Sequence, residues 1–190
     1  GAGDPNLDRQ MLDLGEKVKE QELREAEAAE EAAPDDAGKQ EAVAAAQAAL
    51  TATRLENAKT MVERYPNDFL AHYRLGDLLY QSGEYDQAIR EFQLAKRNPQ
   101  VTVKASLLMG KAMLARGMGD MAVEQLEAAK SETQLMNDLK KEIIYELARA
   151  HEQAGNETAA IEEYKEIYQA DIGFRDVADK INAFYERKKS

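Results

Sequence analysis

The sequence predicts an all-α fold, an α-solenoid of stacked helix hairpins, and three observations carry that prediction. A set of glycines, small residues and large apolar residues recurs at a spacing of 34 residues. Around Gly83, apolar residues fall at helical spacing on both sides of the glycine. Of the 190 residues, hydrophobic types make up 44%, aromatics only 6%, and Trp is absent. Ala, Leu, Ile and Met must therefore build the core, which suits thin interfaces between close helices better than one thick core.

The stretch LGDLLYQSGEYDQAIREFQLA (75–95) reads as two short amphipathic helices hinged at Gly83, neither able to bury its apolar side against the other alone. MGKAMLARGMGDMAVEQLEAA (109–129) repeats it, with Gly76, Gly83 and Ala88 recurring as Gly110, Gly117 and Ala122. In LARAHEQAGNETAAIEEYKEI (147–167), Gly155 and Ala160 take the same roles 38 residues further on, so about one helical turn is added around SETQLMNDLK. Gly or Ala at 76, 110 and 148 lets two helix backbones approach. Phe92, Leu126 and Tyr164 fill the space beside that contact, followed by Ala95, Ala129 and Ile167. Gly83, Gly117 and Gly155 fall where a first helix must stop, since glycine accepts a left-handed cap. Each hairpin then leaves an apolar face for its neighbour to cover.

These features resemble the tetratricopeptide repeat, a helix–turn–helix unit of ~34 residues, with Phe69 at its first position. The resemblance implies a right-handed α-solenoid of such hairpins over 67–172, with repeats at about 69–102, 103–138 and 139–172, a C-terminal capping helix and a helical N-terminal extension. The acidic, cysteine-free style resembles bacterial members. His72, Ser106 and Ile144 depart from the family's early aromatic position, and the closing proline is shifted to Pro99 and missing from the other two repeats.

Residues 173–190 read as the cap, with Val177, Ile181, Phe184 and Tyr185 on one helical face and Lys and Arg at the far end. Residues 35–66 read as one long helix from about Gly38 to Tyr65, stopped before Pro66, serving as a degenerate half-repeat that packs on Phe69 to Tyr80. Residues 1–34 are an acidic helical extension, with ten acids against four bases, ended by the breaker APDDAG. There Leu7, Met11, Leu14 and Val18 are spaced as a coiled-coil seam, a candidate self-association surface for a homodimer, before the seam dissolves into KEQELREAEAAEEAA. The opening GAGDPN, without Met, suggests a tag scar on an excised segment, from which a signal peptide or anchor could have been trimmed.

The same residues exclude several classes of function. A net charge of −11, with no basic stripe, argues against nucleic acid. No apolar run reaches the roughly 20 residues that span a bilayer. With no cysteine there is no disulfide, thiolate metal site or Cys nucleophile. Compartment stays open: cytoplasmic is favoured, with a periplasmic or membrane-anchored parent as the alternative. His72 and His151 read as packing residues without a carboxylate or second ligand at metal-site spacing, so no metal or cofactor is expected. GMGD (117–120) is a turn without the Lys-Ser/Thr of a phosphate loop, and the carboxylates of IEEYKE read as a solvated helix face. Met109, Met113, Met118 and Met121 read chiefly as gap-fillers. The chain is expected not to be an enzyme.

What remains is a protein or peptide partner. By resemblance, first-helix residues line a concave groove, here Leu70, Tyr73, Asp77 and Tyr80, then Lys104, Leu107, Lys111 and Leu114, then Glu142, Tyr145, Arg149 and Glu152. Tyr rings with central cations make a plausible binding strip, since aromatics and Arg concentrate binding energy. The groove stands against two alternatives, an empty solvated face or one filled in cis by residues 7–20. The carboxylate clamp of heat-shock co-chaperone repeats is not expected, because Tyr73, Asp77, Glu142 and Glu146 replace its Lys, Asn and later cations. The expected function is thus a non-catalytic protein–protein interaction module. The alternatives are an assembly or spacer segment self-associating through its first helix and a regulatory piece of a larger enzyme.

Overall fold

The computed structural model describes residues 3–188, and those residues form nine helices with no strand. In chain order they are α1 (Pro5–Glu31), α2 (Ala37–Arg64), α3 (Phe69–Gln81), α4 (Tyr85–Ala95), α5 (Thr102–Ala115), α6 (Gly119–Glu132), α7 (Asp138–Gln153), α8 (Glu157–Ala170) and α9 (Val177–Arg187). Each helix packs on the next, and beyond those neighbours the backbones of α3 and α5 and of α5 and α7 also come close. That is the one-dimensional contact pattern of an α-solenoid.

Sequence sets the helix lengths through caps. Gly83, Gly117 and Gly155 have φ of 79°, 76° and 79°. Each sits in the same motif: Gly83 N–H donates to Tyr80 O (3.1 Å) and Glu84 N–H to Leu79 O (2.8 Å), and the pattern recurs at 117–118 and 155–156. Two otherwise orphaned carbonyls are thereby satisfied at each helix end. A Cβ on Gly83 would meet nothing within 4 Å, so Gly83→Ala carries only the conformational penalty of a left-handed L-residue. It is expected to destabilise by about 1 kcal/mol, read as a lowered denaturation midpoint. At the other ends, Asp36 and Asp68 accept the first backbone N–H groups of α2 and α3.

The repeat positions form the core. Ala88, Phe92, Ala95, Ala122, Leu126, Ala129, Ala160, Tyr164 and Ile167 are all completely or almost completely buried. A Cβ on Gly76 would lie 2.8 Å from the Phe92 ring, and one on Gly110 2.6 Å from Leu126, so each large residue seats directly on a bare helix backbone. The longer spacing to the third repeat comes with longer helices: α6 has 14 residues and α7 has 16, against 11 in α4 and 14 in α5.

Several features differ from the sequence reading. The N-terminal helix runs unbroken for 27 residues although its apolar seam fades. It is held antiparallel along α2 by polar contacts: Arg54 to Glu20 (2.7 Å), Asn57 to Glu16 (2.9 Å) and to Leu12 O (3.2 Å), and Arg64 and Tyr65 to Asp8 (2.9 and 2.8 Å). On α9, Val177 and Phe184 are buried, whereas Tyr185 is exposed and stacks edge-on to Phe184. Glu163 and Glu166 are not simply solvated, since both hold Lys130 at 2.6 Å. His72 is buried with a carboxylate partner in space, its Nδ1 2.6 Å from Glu91 and its Nε2 3.0 Å from the Pro66 carbonyl. It ties α3 to α4 and to the preceding turn. Met109 and Met113 are core residues, while Met121 is exposed.

Candidate protein-binding groove

The inner surface is built from α3, α5 and α7, the helices that touch across the stack. Tyr73 is half-buried with its ring 6.1 Å from Phe92, and burial, then the nearby Asp77 charge, pushes its phenol up. Tyr80 stacks on Tyr85 at 5.6 Å; burial pushes its phenol up, and Lys111, Glu146 and Arg149 act on it electrostatically. Lys111 reaches across to Glu142 at 3.0 Å. The structure therefore brings Tyr80, Lys111, Glu142 and Arg149 into one cluster. Leu70 is half-buried against the core, and Lys104 is exposed. Leu107 and Leu114 are core residues rather than groove lining, each only 7% exposed. Their helix α5 lies between α3 and α7 and is covered from both sides.

The third-repeat part of this surface is covered from within the chain. Between α8 and α9, Arg175 adopts a left-handed backbone (φ 48°) and lies over the Tyr145 ring at 4.5 Å and the Phe174 ring at 5.3 Å. It pairs with Glu142 and approaches Glu146 at 3.7 Å. Glu146 is almost fully buried and also accepts from Arg149 at 2.7 Å. Asp176 accepts from the Tyr145 hydroxyl at 2.7 Å. Lys180 of α9 meets Glu152 at 3.1 Å, and Lys141 bridges to Asp171 at 2.8 Å. Glu142, Tyr145, Arg149 and Glu152 are thus engaged by the C-terminal segment or by α7 itself. Residues 171–180 cover this part of the surface.

Burial, then the hydrogen bond to Asp176, pushes the Tyr145 phenol up to about 12 from 10.0. A raised phenol favours the protonated native state, so this link is intact below pH 10 and weakens as pH climbs toward 12. Arg175→Ala removes the ring contact and one partner of a buried carboxylate. It is expected to loosen the cap by about 1–2 kcal/mol, seen as faster proteolysis and amide exchange confined to 171–187.

The opposite end of the surface stays open. A cavity of about 480 Å³ lies between α1, α2 and α3, lined among others by Leu12, Met61, Tyr73, Arg74, Asp77 and Gln81. Its size is that of a ligand cleft. It exists because α2 touches both α1 and α3 while α1 and α3 do not touch each other. Arg9 and Arg54 on its walls are neutralised by Asp68 (2.8 Å) and by Glu20 (2.7 Å). Among the described residues Asp13 and Arg74 have no ion-pair partner, and Asp77 takes only a Gln81 amide at 3.0 Å. Sequence reasoning missed the α1 wall. The available signal was the second stripe at Arg9, Leu12 and Glu16, turned away from the apolar seam. Among the described residues no cluster of His, Asp and Glu is arranged to hold a metal, and no helix is long and apolar enough to cross a membrane.

Residues 69–97 match the family model described as tetratricopeptide repeat. No curated protein matches the chain significantly by sequence. Among solved structures, a crystal structure of MamA aligns with a TM-score of 0.67 at 19% identity, covering 81% of this chain and 85% of that one. MamA 41-end from Desulfovibrio magneticus RS-1 aligns with a TM-score of 0.58 at 18% identity, covering 92% and 99%. A thermophilic tetratricopeptide repeat protein in Thermus thermophilus gives 0.54 at 23% identity, covering 94% and 95%. At these identities the likeness is one of fold.

Proposed function

We propose that this tetratricopeptide-repeat protein is a non-catalytic interaction module that holds a peptide or helix of a partner protein along α3 and α5, entering at the cleft between α1 and α3. The fold is one typical of protein–protein interaction scaffolds. The observation that carries the reading is the cleft itself, about 480 Å³ and continuous with Tyr73 and Asp77 of the inner surface. It combines an apolar floor with charged groups that have no ion-pair partner among the described residues. Tyr80, Lys111 and Lys104 extend the surface along the stack, whereas the third repeat contributes mainly to the cap.

Partner enrichment from the source organism's lysate tests this, with the wild type run beside an Arg74→Glu/Asp77→Lys variant. Both substitutions sit on the cleft rim and leave the net charge unchanged. A partner depleted at least tenfold on the variant is the expected result. Equal recovery on both proteins would reject the cleft and move attention to the outer helices.

A second reading, assembly through the N-terminal helix, has its own support. Leu7, Met11, Leu14 and Val18 are 54%, 64%, 62% and 58% exposed, a row of large apolar side chains left uncovered by the described residues.

A further inference from the structure

Resting on that second reading, we infer that α1 pairs with α1 of a second copy of this chain, parallel and in register. The face of α1 that meets α2 carries the Leu12 carbonyl, Glu16 and Glu20. At 100° per residue the seam lies nearly opposite, so it is free to dock without disturbing the hairpin. The seam spacing puts Leu7 and Leu14 at d positions and Met11 and Val18 at a positions. Leucine at both d positions with the β-branched Val18 at one of the two a positions is the pattern that leans toward two parallel strands.

Charge fixes the orientation and names the occupant. In that register Lys17 is a g residue and Glu22 the following e residue, the pair that meets across a parallel dimer. Lys17 has no ion pair among the described residues, and Glu22 is held only by Lys19 on the same exposed helix surface. A second copy supplies both halves of the pair twice, as a two-fold interface requires. An antiparallel pair would set Lys17 opposite the neutral Gln10.

Gly15 is a third, independent sign. It sits in the middle of α1, where glycine weakens a helix, and a Cβ there would meet nothing within 4 Å among the described residues, none of which calls for glycine. Next to Leu14, at an e position, it leaves the flank of the seam bare for close approach of a partner backbone. Two heptads bury little area, so the dimer is weak and its population depends on concentration.

The chain contains no cysteine, which makes single-cysteine crosslinking unambiguous. Leu7→Cys and Val18→Cys chains would each be oxidised alone and as a mixture, with sedimentation equilibrium on the wild type in parallel. The parallel pairing predicts disulfide dimers from each variant alone and little mixed product. It also predicts that Lys17→Glu weakens wild-type association several-fold and that adding Glu22→Lys restores it. Crosslinking only in the mixture would overturn the parallel register while leaving self-association standing. No crosslink, with a monomer at hundreds of micromolar, would overturn both.

Discussion

Phe92→Ala is expected to lower the stability of the whole chain by about 3–5 kcal/mol, the transfer term plus the cavity left behind. Phe92 is completely buried. Its ring lies against the bare backbone of Gly76 and 6.1 Å from Tyr73. No neighbour can collapse into the space, because α3 and α4 are already held at fixed separation by their shared turn and by His72 with Glu91. A solenoid passes stability from pair to pair, so the loss should appear as one shifted denaturant midpoint with weakened docking of α2 on α3. A change below about 1 kcal/mol would mean that the Gly76–Phe92 contact is not structural.

Gly119→Ala should also destabilise, by about 1–3 kcal/mol, although alanine is ordinarily the better helix residue by roughly 1 kcal/mol. A Cβ at Gly119 would come within 2.9 Å of Ala154 N and 3.2 Å of Ala150 O. These are backbone atoms of the end of α7 and its turn, which cannot rotate aside. The start of α6 would have to move away from α7, opening the joint between the second and third repeats. Gly15→Ala is the control: nothing stands within 4 Å of its Cβ, so the isolated chain should gain about 0.5–1 kcal/mol from the same substitution. If Gly119→Ala raises the denaturation midpoint as Gly15→Ala does, close helix approach at Gly119 is refuted.

The contact of Gly76 with Phe92 and its counterparts were legible in the sequence because they are local and periodic. A small residue, a large residue and a glycine cap recur at set offsets, and every one occupies the expected place: Gly76, Phe92 and Gly83 in the first repeat, and their counterparts in the next two. The cover over the third repeat was not legible. It depends on Arg175 adopting φ 48°, a conformation that residue type signals in glycine or asparagine but not in arginine. Nor was the α1–α2 hairpin, since Asn57, Arg54 and Arg64 hold it, and polar helix interfaces leave no apolar stripe to read. The repeat pattern puts Leu107 and Leu114 on the right helix but reads them as surface, and the structure buries them. The position that lines a groove at the end of a stack is buried at its middle, where α5 has helices on both sides.

The function proposed here therefore puts the groove toward the N-terminus of the stack. In the proposed function Tyr73, Asp77, Tyr80 and Lys111 remain groove candidates and Arg74 and the α1 wall join them, while Tyr145 is bonded to Asp176 of the C-terminal segment and Arg149 to Glu146 of its own helix. Amide hydrogen exchange on the chain, with and without the partner captured on it, tests this placement most directly. Slowed exchange in residues 9–16, 54–61 and 70–81, with 142–152 unchanged, is the predicted result. Protection confined to α4, α6 and α8, or to the seam side of α1 alone, would contradict it.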